Sequence, residues 1–263
     1  MNFKFIDLEA KDNLNIKEYK KISAMSKERR RTGLFCVEGK NALPELLKSG
    51  RGIKTIFFTD DFYNKNNSIL EKAAQIAENS YRISEKLADF LSETPSPQGV
   101  FAIASFAKDK ISTAGNKTVI LEKLQDCGNI GTIIRTAYAL GFDSIYTVNC
   151  GDIYSQKTIR ASANAVINAD ITDFGSIGEA ATDLKKDGFT IYCAALEDRS
   201  KDIKNIEFAE KTAVIIGNEG SGISDEAKKI SDVFIKIPME KGFDSLNAAV
   251  SAAIIMWEIQ KKG

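Results

Sequence analysis

The sequence predicts an α/β protein in two parts, each built on a sheet, the second mostly parallel. Short apolar, β-branched runs alternate with stretches of helical apolar spacing along the whole chain, the pattern of strands joined by crossover helices. A polar stretch without periodicity, KDKISTAGN (108–116), separates residues 1–107 from 117–263. Three strand-like runs of the second part end in loops carrying Gly, Pro or Asn. In open α/β sheets, ligands bind beyond the carboxyl ends of strands.

In the first part, a basic helical segment covers about 16–30. LFCVEG (34–39) reads as a strand ending in a glycine turn, and ALPELLKSG (42–50) as a helix closed by Gly50. IKTIFFT (53–59) is rich in β formers, SILEKAAQIAEN (68–79) has helical spacing, and YRIS leads into a short helix, SEKLADFLSE. The TPSPQG stretch is a loop before the strand GVFAIASF (99–106).

The second part opens with the buried-type strand TVILEKL (118–124). A helix begins at Asn129 and ends at Gly141, followed by the strand SIYTV (144–148). Helical stretches cover about 155–166 and 176–187, and FTIYCAAL (189–196) and TAVIIG (212–217) are strands. SDEAKKIS (224–231) has a serine N-cap and an acidic first turn. VFIKI (233–237) is a strand, and 245–262 is a long helix rich in Ala, with Ser245 placed as its N-cap.

The chain has 263 residues, balanced at 36 basic and 36 acidic side chains, and no histidine. That absence excludes Ser-His-Asp and Cys-His catalysis and the usual zinc sites, and removes the commonest general base. No metal is expected. Cys36, Cys127, Cys150 and Cys193 lack metal-ligand or redox spacing and read as reduced thiols. No apolar run reaches the roughly 20 residues that span a bilayer, and MNFKFIDLEAKDN has no signal-type apolar stretch. A cytoplasmic location is expected. Residues 17–31 hold seven cations against Glu18 and Glu28, a local excess of five on a neutral chain. Such a patch reads either as a phosphate-facing surface or as a solvated helix face.

Three segments carry candidate chemistry. In LQDCGNIGTIIRTAYALGF (124–142), Asn129 and Arg135 lie six residues apart, roughly 120° around a helix. Taken alone, Arg135 reads as a surface ion pair. In AVIIGNEGSGIS (213–224), a strand runs into Gly217, Gly220 and Gly222 with Asn218 and Glu219 between them. Glycines there let backbone amides approach a ligand, although a simple strand-to-helix turn has the same composition. In IKIPMEKGFDSLNAAVSAAIIMW (235–257), Pro238 stops ladder pairing, and Ser245 and Asn247 enter the last helix as caps or as site residues.

In order and spacing these segments resemble the three signature motifs of the SpoU (TrmH-like) RNA ribose methyltransferases of the SPOUT superfamily. The resemblance covers about 118–261. The first part is similar to the substrate-binding domain that many members carry, which resembles a small ribosomal RNA-binding protein. The resemblance implies a deep trefoil knot in the second part, S-adenosylmethionine as cofactor, a homodimer, and methylation of a ribose 2′-hydroxyl in structured RNA. Ribosomal RNA is favoured over transfer RNA. The alternatives are a tRNA ribose methyltransferase and a non-catalytic RNA-binding or ribosome-assembly protein on the same fold. Asn129, Arg135, Glu219, Ser245 and Asn247 match the catalytic motif residues. The cofactor pocket maps to Cys193, Ala194, Ala195 and Leu196, to Gly217, Asn218 and Gly220, and to Ile237, Pro238, Met239 and Leu246. Lys20, Lys21, Lys27, Arg29, Arg30 and Arg31 are the expected RNA contacts. One position departs from the family pattern: Cys127 stands where a proline is usual.

Overall fold

The computed structural model describes residues 4–106, 115–240, 242 and 245–262. Of the expected linker, all but Gly115 and Asn116 lies outside the described residues. The chain divides into two compact units. The first comprises Met1–Lys108 with Tyr154–Arg160, and the second Asp109–Ile153 with Ala161–Gly263. Tyr154–Arg160, which the sequence assigns to the second part, packs into the first unit. Gln156 Nε2 donates to the Cys36 carbonyl at 2.8 Å, and Tyr154 stacks on Phe106 with ring centroids 4.3 Å apart.

The first unit holds β1 (Ile6–Leu8), α1 (Leu14–Ala24), α2 (Ser26–Thr32), β2 (Leu34–Glu38), α3 (Ala42–Ser49), β3 (Ile53–Phe58), α4 (Asp60–Ile76), β4 (Asn79–Ile83), α5 (Glu85–Leu91) and β5 (Val100–Ser105). Its sheet runs β1-β4-β3-β5-β2, parallel from β1 to β3 and antiparallel across β5. Ile16, Tyr19 and Ile22 turn one face of α1 into the core, where Tyr19 meets Phe57 and Phe101 edge-on. β1 has three residues, too few for a legible alternation. α4 starts eight residues before the expected 68, capped by Thr59, and is interrupted at Asn66.

The basic segment is two helices rather than one, because Met25 is extended (φ −119°, ψ 113°). The break changes what its cations do. Arg29 is buried, and its guanidinium donates to the carbonyls of Ile22 and Ser23 at the end of α1. This corrects the expectation that Arg29 faces RNA: it caps backbone acceptors that the helix end leaves open. Glu28 holds Arg31 at 2.8 Å and Lys21 at 3.3 Å. Those partners, Arg31 first, keep the Glu28 carboxyl below its ordinary range.

The second unit holds β6 (Lys117–Glu122), α6 (Cys127–Ala139), β7 (Ser144–Val148), β8 (Ile171–Phe174), α8 (Ile177–Lys186), β9 (Thr190–Ala194), β10 (Lys201–Asp202), β11 (Thr212–Ile216), α9 (Asp225–Ile230), β12 (Val233–Lys236) and α10 (Ala248–Lys262). Between β7 and β8 lies α7 (Gln156–Ala161), a shorter helix than the expected 155–166. The chain leaves it through Ala163 and Asn164, both at positive φ. All seven strands are parallel, in the order β10-β12-β9-β11-β6-β7-β8. Strand order departs from chain order: β11 lies between β6 and β9, and β12 lies beyond β9. The loops leaving β9, β11 and β12, where the knot is expected, therefore emerge side by side from the carboxyl ends of three adjacent strands. Among the described residues, no helix is long and apolar enough to cross a membrane.

Candidate active site

Parallel pairing sets the site. The register Ile216↔Leu121 puts the end of β11 beside the end of β6, and Ile215↔Cys193 puts it beside the end of β9. α6 starts directly beyond β6. Asp126 caps it, Oδ1 accepting from the Asn129 amide at 2.9 Å, so the helix begins two residues before the expected Asn129. α10 packs along α6. Its cap is Asn247 rather than Ser245. Asn247 Oδ1 accepts from the Ala249 and Val250 amides, and its carbonyl takes the Ser251 amide. An amide side chain satisfies the open N–H groups of a first turn as well as serine does.

Three of the predicted residues meet in one chain of hydrogen bonds. Asn247 Nδ2 donates to Asn129 Oδ1 at 3.0 Å, and Asn129 Nδ2 donates to Glu219 Oε1 at 3.1 Å. Both functional ends of Asn129 are thereby used, which fixes its amide orientation. Asn218 organises the loop. Its Oδ1 accepts from the Gly220 and Ser221 amides, its Nδ2 donates to the Lys123 carbonyl at 2.8 Å, and its backbone exchanges two bonds with Gly222. Gly217 is required there. A Cβ on it would lie 2.5 Å from the Gly222 carbonyl carbon and oxygen.

Arg135 and Ser245 stand apart from this network. Both are exposed, and neither makes a hydrogen bond or ion pair with another described residue. Glu219 thus binds Asn129 and not Arg135. Leu196, Gly220, Pro238 and Leu246 are exposed at the loop ends. Ala194, Ala195, Gly217, Asn218, Ile237 and Met239 are half-buried beside them. Cys193 is wholly buried in the sheet core, so its side chain lines no cleft, and burial pushes its thiol up to about 11.

Two residues not singled out in the sequence support the site. Glu122, 2% exposed, ends β6 and accepts from both the amide and the hydroxyl of Ser224, the N-cap of α9. Gln125 Nε2 bridges the carbonyls of Lys123 and Asn149 at 3.2 and 3.0 Å. Those two residues have φ of 57° and 52°, a left-handed backbone that side chains disfavour and that clusters at functional sites. The only sequence sign of Glu122 is a carboxylate closing an apolar strand.

The profile of the SpoU rRNA Methylase family matches residues 116–257, and that of an MRM3-like substrate binding domain matches 13–102. The chain is 30% identical over 254 residues to the 23S rRNA (guanosine(2553)-2′-O)-methyltransferase RlmP of Bacillus subtilis, covering 96% of this chain and 98% of the relative. Its fold matches an AdoMet-bound rRNA methyltransferase from Sinorhizobium meliloti with a TM-score of 0.87, at 24% identity and covering 97% of each chain. It also matches the AviRb methyltransferase of Streptomyces viridochromogenes in complex with AdoMet, with a TM-score of 0.83 at 21% identity, covering 95% of this chain and 98% of the other.

Proposed function

The chain belongs to the SpoU rRNA Methylase family, and from that premise we propose how its residues carry a methyl group from S-adenosylmethionine to a ribose 2′-hydroxyl of ribosomal RNA. The observation that carries the reading is the Asn247–Asn129–Glu219 network, which joins all three signature segments beyond the carboxyl ends of the parallel strands.

The loop ends fit the cofactor chemically. Ala194, Ala195 and Gly220 leave room, while Leu196 and Leu246 offer exposed apolar side chains to an adenosyl group. Bound there, S-adenosylmethionine supplies a methyl on a positively charged sulfur that leaves as a neutral thioether. The chain's residues do the positioning. Asn129, locked by Asn247 and Glu219, fixes the wall beside the ribose, and Ser245 lies two residues from Asn247 to orient the hydroxyl. Arg135 presents a planar fork of hydrogen-bond donors. Its role is to hold an RNA phosphate and to offset charge on the 2′-oxygen. The hydroxyl proton leaves late, once the new C–O bond has made the oxygen acidic, and passes to solvent at this exposed site. Holding the reacting atoms in line supplies much of the acceleration, which suits a protein without histidine. The chain acts as a homodimer in the cytoplasm, with the exposed apolar face of α10 as the contact.

The test is tritiated methyl transfer from S-adenosylmethionine to 23S rRNA from a strain lacking the protein, followed by nucleoside analysis. Label in a 2′-O-methyl nucleoside is the expected result. Label on a base overturns the ribose chemistry. Cofactor binding without transfer to naked RNA, but with transfer to ribosomal particles, moves the substrate to an assembly intermediate. Neither binding nor transfer overturns the reading in favour of a non-catalytic RNA-binding protein.

A further inference from the structure

The cations expected to grip RNA are not equally free. Arg29 is buried against backbone carbonyls, and Lys21 and Arg31 share Glu28. A different surface of the first unit is both basic and apolar. Ile16, Tyr19 and Ile22 bury one side of α1. At 100° per residue, Leu14, Lys17, Lys20 and Lys21 then occupy an arc of roughly 120° on the other side. Leu14 is 81% exposed and Lys17 is exposed. Beside this arc lies Phe90 of α5, 37% exposed, with Lys11 Nζ 4.7 Å and Lys20 Nζ 5.2 Å from its ring centroid. Lys20 Nζ also donates to the Phe90 carbonyl at 3.1 Å. Lys11, Lys17 and Lys20 make no ion pair among the described residues. Glu18, the acid on α1, is taken by Lys54 at 2.6 Å.

We propose that this face, running from Leu14 along Lys17 to Lys20, Lys11 and Phe90, holds an unpaired stretch of the substrate RNA. The proposal rests on the RNA reading above and says where the RNA sits. Leu14, 81% exposed, leaves an apolar contact open beside the lysines. Apolar and aromatic contacts beside a row of cations form the combination that single strands use, bases on the rings and phosphates on the ammonium groups. A duplex presents mainly phosphates and ribose edges and would leave Leu14 and Phe90 without a partner.

The experiment measures fluorescence anisotropy of a labelled oligouridylate of about 12 nucleotides, within the span such surfaces cover, titrated with the full chain at several salt concentrations. Phe90→Ala and Leu14→Ser are each expected to weaken binding about tenfold without changing the salt slope. Lys17→Ala and Lys11→Ala are expected to lower the slope of log K against log salt by about 0.7 each. The exposed Leu14 and Lys17 variants keep the test valid if Phe90→Ala fails to fold. The same variants should raise KM for a 23S rRNA transcript. A wild type that methylates rRNA, with Leu14 and Lys17 variants that bind like it, overturns this surface alone. So does a loss confined to Lys27→Ala and Arg30→Ala on α2. A duplex of equal length bound as tightly, with the same losses, overturns the single-strand assignment. A wild type that neither binds nor methylates any RNA overturns the underlying reading as well.

Discussion

Arg135 is exposed on α6 without an intramolecular partner among the described residues, so nothing in the fold explains it. If its planar fork clamps a phosphate in two places, lysine is a poor substitute, because a point charge cannot make the paired bonds. Arg135→Lys is expected to lower kcat/KM for rRNA by about tenfold or more, roughly 1.4 kcal/mol or more of transition-state stabilisation. Near-normal turnover would remove any need for the fork. Asn129 gives a second test. In Asn129→Asp a carboxylate would face Glu219 Oε1 across the present 3.1 Å contact. Like charges so close raise the pKa of one of them, so the variant should be poor at pH 8 and recover relative to wild type as pH falls and one carboxyl takes up a proton. A constant ratio of the two pH–rate profiles would show that this contact does not govern the site. Two desolvated thiols, Cys193 buried and Cys150 partly so, set an upper pH limit. Burial raises Cys150 and Cys193 to about 11 in the fold, against about 8.5 in an unfolded chain. The folded state therefore holds those protons more tightly. Its contribution is complete below about pH 8.5 and is lost as pH rises toward 11. Urea midpoints should decline across that window, and less so in Cys150→Ala.

At the scale of elements, the tie between β6 and α9 governs how firmly the loop of Asn218 and Glu219 is held. Ser224 caps α9 through its hydroxyl, and that hydroxyl and its amide both serve the buried Glu122 carboxylate. Ser224→Ala removes a cap worth about 1 kcal/mol and leaves a buried carboxylate short of a donor, at a further 1–3 kcal/mol or so. An expected loss of about 2–4 kcal/mol should appear in denaturant unfolding, against less than 1 kcal/mol or so for exposed Ser221→Ala. Such ties explain how far the sequence could be read. Runs with clear spacing and glycine stops, such as β2, α3, β7 and α8, were legible because their causes are local. β1 and β10 were not, since two or three residues offer too little pattern, and β8, Ile-Thr-Asp-Phe, lacks the apolar run that made the equally short β12 readable. Asn129, Glu219 and Asn247 could be named from motifs, but their mutual bonds join residues 90 and 118 positions apart. Glu122 and Ser224 are 102 apart. Only the strand order brings them together, and neither periodicity nor composition encodes that order.

At the scale of the whole molecule, one feature is unexplained by a single chain. α10 buries Ala252, Ile255, Met256 and Ile259, yet Val250, Ile254 and Trp257 are exposed at the i, i+4, i+7 spacing of a second apolar stripe, with Trp257 57% exposed. Leu246 before the helix and Tyr138 on α6 are exposed as well. Contiguous apolar surface of this kind marks an association face, and a neutral net charge gives no long-range repulsion to keep copies apart. If a second copy covers the stripe, two-fold symmetry places each α10 against its counterpart, and charge there is intolerable in the dimer but harmless in the monomer. Ile254→Glu and Trp257→Glu should therefore elute as folded monomers, with masses measured by light scattering half that of wild type. Trp257 is the sole tryptophan, so wild-type emission reports this face alone and should shift to the red on dilution through the dissociation range. A wild type already monomeric at micromolar concentration would leave the stripe to some other partner. A monomeric variant that still methylates rRNA at the wild-type rate would show that each chain carries a complete site, whereas a folded but inactive monomer would mean that the second copy completes it.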